Sequence, residues 1–398
     1  MDNFNLYIYS NDDFASKSAG TTRMLLYAKA FADDYHKVYL MSCCKNKIIH
    51  TDFEEVDKNV FVQKNKDLTT NFFNTFTFLR NLFKFSSQNN GNNVFLFYPP
   101  PLIFLEILSL IYLKGIKKQK LFFENNEIRK YSSSFHSAFS IKKPVYSIKK
   151  IIFKSIFSVT PVLLKFYDGL ICISTNIENY GKKYNKKTIR IPILTNPDYQ
   201  ISYSETIYHK QEIFNIGFSG SIAISKENLD MFLKVISRVS KDGYAVHFNL
   251  CGSATKTNDK LLKQLAQEFN INSVLTYYGN LNEVEFSTFL NQQDLLVIPR
   301  GYTIQNHYGF STKLSDYLNH KKMILLTDIS DNKLYIKDKE NGFIVAPNDE
   351  EAMYHKLIDI IENFDSYTNT VLPNAANTSK KEFNYLLFKE PLRSFLKN

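Results

Sequence analysis

Short apolar runs alternate with helix-patterned stretches along most of the chain, and this alternation limits the fold to a small class. In residues 21–42, TTRMLLYAKAFADDYHKVYLMS, apolar residues recur three and four positions apart and then give way to strand-like alternation. A strand, a helix and a second strand in this order form a β-α-β unit, whose two strands are parallel. The pattern recurs further along the chain, so the sequence predicts an α/β protein with parallel sheets.

The alternation falls into two series, separated by a stretch that fits neither a helix nor a strand. Residues 191–198, IPILTNPD, contain two prolines, and the following YQISYSETIYHKQE is polar and irregular. A chain of 398 residues is also longer than one hydrophobic core usually supports. We therefore predict a first domain over residues 1–197 and a second over 198–379, with a C-terminal helix over 380–398 that packs back onto the first.

The composition indicates a globular protein with an anionic partner. Hydrophobic residues make up 44% of the chain and charged residues 22%, and the formal net charge is +10. Nucleic acid, an anionic membrane surface and a phosphorylated small molecule would each satisfy this charge. The basic residues are scattered and no nucleic-acid-binding motif occurs, so we expect no nucleic-acid partner. The four cysteines show no CxxC spacing, which argues against a metal site or a disulfide framework.

Two segments of the first domain bear on membrane contact. The apolar run over residues 102–113 contains Glu106 and Ser109 and is shorter than the roughly 20 residues that span a bilayer, so we predict a buried helix. Residues 143–165 interleave lysines with apolar residues, which fits either a solvated helix face or a membrane-facing surface. The N-terminus, MDNFNLYIYSNDD, lacks the features of a signal peptide, so we expect a cytoplasmic protein.

A turn of small and hydroxyl residues in the second series is a candidate anion site. In NHYGFSTKLSDYLNHKKMILLTD, residues 306–328, Gly309, Ser311 and Thr312 precede a helix-patterned segment and an apolar strand. Unpaired backbone N–H groups at a helix N-terminus favour an anion such as phosphate. An ordinary helix cap uses the same residue types, so the turn alone leaves both interpretations open.

The second series also carries six short motifs in the order NIGFSGSIAISKENLDMFL, LTYYGNL, LLVIPR, YGFSTKLSDYL, KMILLTD and ENGFIVAPNDEEAM. Their order and separation resemble nucleotide-sugar glycosyltransferases of the GT-B fold, especially the family 4 type that builds bacterial polysaccharides such as capsule. The first series resembles the same family less closely, through DGLICISTNIENYGKKYNKKTIRIPILTNPD. The resemblance implies two tandem Rossmann-like domains facing each other across a cleft, with the acceptor bound by the first and the nucleotide sugar by the second.

The resemblance also implies donor-binding residues in the second domain. The acidic pair of the family falls on Tyr308 and Asp316, so one carboxylate is missing, while Asp316 can still accept two hydrogen bonds from ribose hydroxyls. Lys226 and Arg300 are the candidate cations for the leaving diphosphate, because they follow strands at the edge where ligands bind. The full set of predicted donor-binding residues is Gly220, Lys226, Arg300, His307, Gly309, Phe310, Ser311, Thr312, Lys313 and Asp316.

In the first domain, the motif FFENNEIRK places Glu124 and Glu127 just past a predicted strand. Related enzymes put polar groups facing the reacting sugar there, so both are candidate catalytic residues. Gly20, Thr21 and Arg23, at the start of the first helix, are candidates for the diphosphate or acceptor side. The resemblance implies no metal and no cofactor, and it favours retention of anomeric configuration.

The predicted function is transfer of a hexosyl group from a nucleotide sugar to a saccharide acceptor. Basic and apolar residues mix in FLRNLFKF, YLKGIKKQK and IKKPVYSIKKIIFKSIF, which favours a lipid-linked acceptor and peripheral attachment to the inner face of an anionic membrane. The tyrosine in the acidic pair motivates one alternative, a catalytically inactive sugar-binding or scaffold protein of the same fold. A dehydrogenase is disfavoured because the first strand lacks a following GxGxxG turn.

Overall fold

The computed structural model describes residues 4–10, 12–14, 18–33, 36–42, 47–67, 73–88, 93–98, 103–132, 144–196 and 212–397. The chain divides into two compact units, of which unit 1 comprises Met1–Leu194 with Tyr385–Asn398 and unit 2 comprises Thr195–Asn384. The boundary that the sequence predicts, between residues 197 and 198, lies outside the described residues.

Unit 1 is built on a sheet that has eight strands among the described residues. Its spatial order is β3-β4-β2-β1-β5-β6-β7-β8, and every neighbouring pair is parallel except β3 and β4. The strands are β1 (Asn5–Ser10), β2 (Val38–Ser42), β3 (Lys47–Asp57), β4 (Val60–Asp67), β5 (Asn93–Phe97), β6 (Lys120–Asn125), β7 (Gly169–Cys172) and β8 (Thr188–Arg190).

The helices of unit 1 follow the strands of this sheet. They are α1 (Ala19–Phe31), α2 (Phe73–Ser86), α3 (Ile103–Ser109), α4 (Pro144–Val159) and α5 (Thr175–Gly181). A π-helical turn, Leu110–Ile116, continues α3, and a 3-10 segment, Thr160–Phe166, continues α4. None of the helices described is both long enough and apolar enough to cross a membrane.

The prediction of a buried helix over residues 102–113 is wrong for half of its apolar side chains. Phe104, Ile107, Leu108 and Ile111 are between 40% and 57% exposed, although Leu105, Leu110 and Leu113 are buried. Helix α4 also exposes large apolar side chains. We use the name exposed apolar face of unit 1 for the exposed apolar side chains of these two regions, which are Phe104, Ile107, Leu108, Ile111, Ile148, Ile151, Ile152, Phe153, Ile156 and Val159.

Unit 2 is built on a sheet whose described strands are all parallel and whose order is β11-β10-β9-β12-β13-β14. Numbered within the unit, this is the 3-2-1-4-5-6 order of a doubly wound sheet. The strands that follow β9 along the chain are added on one side of it up to β11, and from β12 onward they are added on the other side. The strands are β9 (Phe214–Ser219), β10 (Val246–Cys251), β11 (Leu275–Tyr277), β12 (Leu295–Ile298), β13 (Met323–Thr327) and β14 (Phe343–Val345).

Helices cover this sheet, and its central strands are apolar runs because both of their faces are buried. All four residues of β12 are fully buried. The helices of unit 2 are α6 (Ile224–Glu227), α7 (Leu229–Lys241), α8 (Lys256–Glu268), α9 (Glu283–Asn291), α10 (Ile304–Tyr308), α11 (Lys313–Asn319), α12 (Asn332–Tyr335), α13 (Glu350–Glu362) and α14 (Phe364–Thr378). The sequence predicts one helix from Lys226 to Val239, but Asn228 is left-handed, with φ of 56°, and separates α6 from α7.

The last helix, α15 (Lys389–Lys397), belongs to unit 1. Leu392 and Leu396 are fully buried in the core that α1 and the sheet form. Arg393 donates a hydrogen bond to the carbonyl oxygen of Phe31, at the end of α1, and pairs with Asp33 at 3.0 Å. The two units are thus joined by two crossings of the chain, one after Leu194 and one before Tyr385.

Candidate functional site

The candidate site of unit 2 lies where the order of its strands reverses. Ligands of doubly wound sheets bind outside the carboxyl ends of the strands at this point. Strand β9 ends at Ser219 and is followed by Gly220, and β12 is followed after one residue by Arg300. The hydroxyl of Tyr317, on α11, accepts a hydrogen bond from the backbone N–H of Ser219 at 2.9 Å, which fixes α11 against the end of β9.

Gly220 and Lys313, both predicted to bind the donor, are in contact. Gly220 has φ of +115°, and a Cβ atom there would lie 2.8 Å from Cε of Lys313. The side chain of Lys313 therefore crosses the backbone at a position where only glycine leaves room for it. Its ammonium group lies 4.9 Å from the centre of the Phe218 ring.

Glu227 joins two predicted cations into one buried cluster. Its carboxylate accepts two hydrogen bonds from Arg300, from Nε and Nη2, each at 3.0 Å, and lies 3.2 Å from Nζ of Lys313. The Glu227 side chain is 2% exposed, and those of Arg300 and Lys313 are each 11% exposed. We refer to these three residues as the cation cluster. Glu227 is not among the predicted site residues, because nothing in the sequence shows that its carboxylate contacts cations from two other segments.

The charges of the cation cluster perturb one another. Burial alone would raise the pKa of the Glu227 carboxyl, but Arg300 and Lys313 hold it well below its usual range. Burial lowers the pKa of the Lys313 ammonium to about 8, even though Glu227 beside it acts in the opposite direction. Lys226 also acts electrostatically on both groups. The site therefore holds a lysine whose charge changes just above neutral pH.

Asn306 holds together the loops around the cation cluster. This residue is 1% exposed, and its Nδ2 group donates hydrogen bonds to the carbonyl oxygens of Lys226, at 2.8 Å, and of Gly301, at 3.0 Å. The loop after β12 and the short helix α6 are thereby tied to each other. Lys226, a predicted donor-binding residue, is fixed through its backbone and is itself half-buried.

Asp316 lies on the first turn of α11 and keeps an accessible side chain. Protein atoms nevertheless surround the carboxyl group and displace water from it, which raises its pKa to about 7. The charge of Lys313 acts in the opposite direction and lowers this pKa. The Oγ atom of Ser311, just before α11, is buried and has no hydrogen-bond partner among the described residues. Asp316 can therefore reach a ligand, and Ser311 offers a hydroxyl that the protein leaves unsatisfied.

The remaining predicted donor residues lie in the turn before α11. The ring of Phe310 is buried and stacks on Tyr335 at 5.5 Å, so its side chain belongs to the core of unit 2. His307 is half-buried, and its ring lies 5.1 Å from that of Tyr308. Gly309 ends the short helix α10, and Thr312 precedes α11 without a capping side-chain hydrogen bond. Donor contacts by these four residues stay predictions.

In unit 1, the structure places Arg23 and Glu124 in the interior. Both are buried, Nε of Arg23 lies 2.9 Å from Oε1 of Glu124, and the hydroxyl of Tyr27 lies 3.2 Å from Oε2. Arg23 also donates to the carbonyl oxygens of Ile191 and Pro192. This network joins α1, β6 and the segment after β8, and contact of either charged group with substrate stays a prediction.

The other predicted residues of unit 1 differ in accessibility. Thr21 is 2% exposed and takes part in the cap of α1, where its hydroxyl donates to the carbonyl oxygen of Ser18. A Cβ atom at Gly20 would lie 2.8 Å from the hydroxyl of Tyr98, so this position holds a close approach. Glu127 is exposed and lines a cavity at the end of β6. Of the two predicted catalytic carboxylates, Glu127 is the accessible one.

No group of three or more His, Cys, Asp or Glu within the described part of the chain could hold a metal ion. The absence of a metal requirement stays a prediction for experiment.

Comparison with known proteins relates most of unit 2 to a known family. Residues 213–363, most of unit 2, match the family model described as Glycosyl transferases group 1. The match covers less than half of the chain, so it relates unit 2, and not the chain as a whole, to this family. No curated protein is similar enough in sequence to match it.

Solved structures similar to this chain cover nearly its whole length. A sucrose-phosphate synthase from Thermosynechococcus elongatus has a TM-score of 0.76 at 12% identity, over 99% of this chain and 98% of its own. Anabaena HepE, in complex with UDP and glucose, has a TM-score of 0.68 at 13% identity, over 100% of each chain. The lipopolysaccharide outer core galactosyltransferase WaaB has a TM-score of 0.64 at 11% identity, over 99% of each chain. The chain has the GT-B fold, and the predicted α/β class is confirmed.

Proposed function

We propose that this protein is a glycosyltransferase, which moves a sugar from a nucleoside-diphosphate sugar, bound by unit 2, to a saccharide acceptor bound by unit 1. The cation cluster is the observation that carries the proposal. Two cations against one carboxylate leave an excess positive charge at the ligand-binding edge of the sheet, and Lys226 adds to it. The diphosphate of a nucleotide sugar is an anion that fits this charge.

The chemistry follows from the charge that develops during transfer. As the bond to the sugar breaks, negative charge accumulates on the leaving diphosphate, and the anomeric carbon becomes cationic. Arg300 and Lys313 are already oriented by Glu227, so they require little rearrangement to stabilise that charge. Preorganised donors of this kind are each worth about 3 to 4 kcal/mol in comparable sites. With these side chains in place, we propose that transfer needs no metal and proceeds with retention.

Asp316 is proposed to bind the ribose. Its ionised carboxylate can accept hydrogen bonds from both vicinal hydroxyls, and its side chain is accessible. Replacing Asp316 by Ala should weaken donor binding at least tenfold, or roughly 1.4 kcal/mol. HepE structures contain UDP and UDP-glucose, which makes a uridine nucleotide sugar the first donor to test.

The proposal is tested by calorimetric titration of the protein with UDP-glucose and other nucleotide sugars, in parent and Asp316→Ala forms. Binding that the substitution weakens supports the assignment, and equal affinity of the two forms removes it. A protein that binds a nucleotide sugar but neither hydrolyses nor transfers it would favour the second candidate, an inactive sugar-binding protein. Tyr308, in the place of the first family carboxylate, is the observation that keeps this candidate open.

We further propose that the acceptor is lipid-linked and that the enzyme acts in surface polysaccharide synthesis at the cytoplasmic face of a membrane. The exposed apolar face of unit 1 supports this, because soluble proteins rarely leave so many large apolar side chains in water. Exposed lysines lie on the same segments, among them Lys117, Lys118 and Lys154. A surface that is both apolar and basic matches an anionic bilayer.

Flotation with liposomes that contain anionic lipid tests the membrane proposal. The double variant Ile151→Glu and Ile152→Glu places two charges on α4 and should abolish flotation at low salt. Val284→Glu replaces an apolar side chain of unit 2 that is 72% exposed, on α9, and should leave flotation unchanged. A parent protein that does not float at low salt would remove membrane attachment and leave the donor site unaffected.

A further inference from the structure

Unit 1 contains a cavity of about 40 Å³ beyond the end of β6. It is lined by residues from four separate stretches of the chain, and the charged, polar and aromatic side chains that bear on its chemistry are Glu106, Asn125, Glu127, Arg129, Phe157 and Tyr180. Helix α3 contributes Glu106 and α4 contributes Phe157. The helices that carry the exposed apolar face therefore also build the walls of this cavity.

Two buried polar groups of this lining lack a hydrogen-bond partner at one atom. The Nδ2 group of Asn125, a residue 4% exposed, has no acceptor among the described residues. Oε2 of Glu106, a residue 3% exposed, has no donor there either, although Arg129 Nη1 lies 3.6 Å away as an ion-pair partner. The other carboxylate oxygen of Glu106 accepts a hydrogen bond from the hydroxyl of Tyr167 at 2.9 Å. Buried polar groups are normally satisfied, so an amide donor without an acceptor, beside a carboxylate oxygen that has an ion pair but no hydrogen bond, leaves room for a bound polar group.

The chemistry of the two atoms selects the kind of ligand. Asn125 offers a donor and Glu106 offers an acceptor, and a hydroxyl group can accept from the first and donate to the second. A phosphate oxygen could accept from Asn125, but it would have to compete with Glu106 for the guanidinium group of Arg129. An ammonium group could pair with Glu106 but would leave the amide unsatisfied. The lining therefore favours a hydroxyl over either ion.

The size of the cavity limits what enters it. Each water-sized group needs roughly 10 to 15 Å³ of such cavity volume, so about 40 Å³ has room for about three of them, which is enough for a hydroxymethyl group but not for a whole sugar ring. The ring that carries such a group must lie at the mouth of the cavity. The aromatic rings of Phe157 and Tyr180, both in the lining, offer apolar surface to it. Glu127, which is exposed and lines the same cavity, can reach a ligand at the mouth.

We propose that this cavity is a subsite for the acceptor saccharide and that it admits one hydroxyl-bearing arm of a sugar ring. The inference rests on the proposed function, since it assigns the acceptor of that reaction to residues of unit 1. Asn125 and Glu106 select a sugar by the position of one hydroxyl group. A sugar that lacks that hydroxyl would leave both groups unsatisfied and would bind poorly.

The test uses the full chain and saturation-transfer NMR with methyl glycosides of glucose, galactose, mannose and N-acetylglucosamine, each beside its 6-deoxy counterpart. Asn125→Leu fills the cavity and removes the donor, and Glu106→Gln keeps the size while removing the charge. Gln119→Leu removes an amide of unit 1 that is 3% exposed and not part of the lining, and it serves as the matched control. Calorimetry with UDP-glucose on each variant reports the donor site separately.

We expect at least one glycoside to bind the parent and the Gln119→Leu control, and to lose at least tenfold in affinity in Asn125→Leu and in Glu106→Gln. UDP-glucose affinity should stay unchanged in all of them. If no glycoside binds the parent, or if both cavity variants bind glycosides as the parent does, the cavity holds water only and the inference is overturned. A parent protein that does not bind UDP-glucose would instead contradict the proposed function. Circular dichroism identifies a variant that fails to fold, and the other cavity variant then decides.

Discussion

Donor binding should be strongest near pH 7.5 and should weaken on both sides of that value. Burial lowers the pKa of Lys313 from 10.5 to about 8, so its charge is lost as the pH rises through about 8. Desolvation raises the pKa of Asp316 from 3.8 to about 7, so its charge is lost as the pH falls through about 7. Phosphate binding uses the ammonium and ribose binding uses the carboxylate, and both groups are mostly charged only between these two pKa values.

The two pKa values fix the size of the effect. Apparent affinity scales with the fraction of protein in the competent form. If each group titrates independently, that fraction falls roughly sixfold between pH 7.5 and pH 6, and roughly sixfold between pH 7.5 and pH 9, which is about 1.1 kcal/mol on each side. The diphosphate of a nucleotide sugar stays ionised throughout this range, so its own charge does not make the affinity depend on pH.

Calorimetric titration with UDP-glucose at pH 6, 7.5 and 9, at constant ionic strength, measures the loss of affinity on each side of pH 7.5. We call the loss below pH 7.5 the acid limb and the loss above it the alkaline limb. Lys313→Arg keeps its charge throughout, so it should lose the alkaline limb and retain the acid limb. Asp316→Asn has no carboxyl to titrate, so it should bind more weakly at every pH and lose the acid limb. An affinity that varies less than twofold across the range in the parent, or an alkaline limb that persists in Lys313→Arg, would refute the reasoning.

Three further predictions follow from the geometry of unit 2. Glu227→Gln leaves two buried cations without their carboxylate, so it should lower the free energy of unfolding by about 3 kcal/mol, or the melting temperature by roughly 6 to 12 °C. The control Glu351→Gln, which breaks an exposed pair with Arg238, should leave melting unchanged, and equal melting of both variants would argue against a stabilising role of the cation cluster. Gly252→Ala should destabilise unit 2, because φ is +123° and a Cβ atom would lie 2.0 Å from the carbonyl oxygen of Gly220; a parent-like melting curve would contradict this. Sugar transfer should survive EDTA, and an activity that EDTA abolishes and magnesium or manganese restores would show a metal requirement.

Periodicity predicted the buried part of the fold well, because a strand buried on both faces must be apolar. Strands β9, β12 and β13 lie within a residue or so of the apolar runs that the sequence indicates. The hairpin of β3 and β4 was missed, because this edge of the sheet carries exposed charged residues such as Glu54 and Glu55. Exposed strands lack the apolar signal on which sequence analysis depends.

The sequence identifies a site residue only where its position just after a strand places it at the ligand-binding edge of the sheet. Arg300 could be identified because it follows a strand at the ligand-binding edge, and the structure places Lys313 beside it. Glu227 could not, since its role depends on two cations that lie 73 residues or more further along the chain. Likewise Glu106 and Asn125 come from separate elements, and the donor and acceptor that they leave free are defined by folding alone.

The placement of α15 has a consequence for synthesis on the ribosome. Unit 1 is interrupted in the sequence by unit 2, Thr195–Asn384, so its last helix emerges only after that whole stretch has been translated. At about 5 to 20 residues per second, the delay is roughly 10 to 40 s. Throughout that interval the nascent chain lacks Leu392, Leu396 and Arg393, which in the finished protein fill the core beside α1 and bond to its last turn. A stop codon just after the codons of unit 2 would thus remove α15 and damage unit 1, while unit 2 would stay intact.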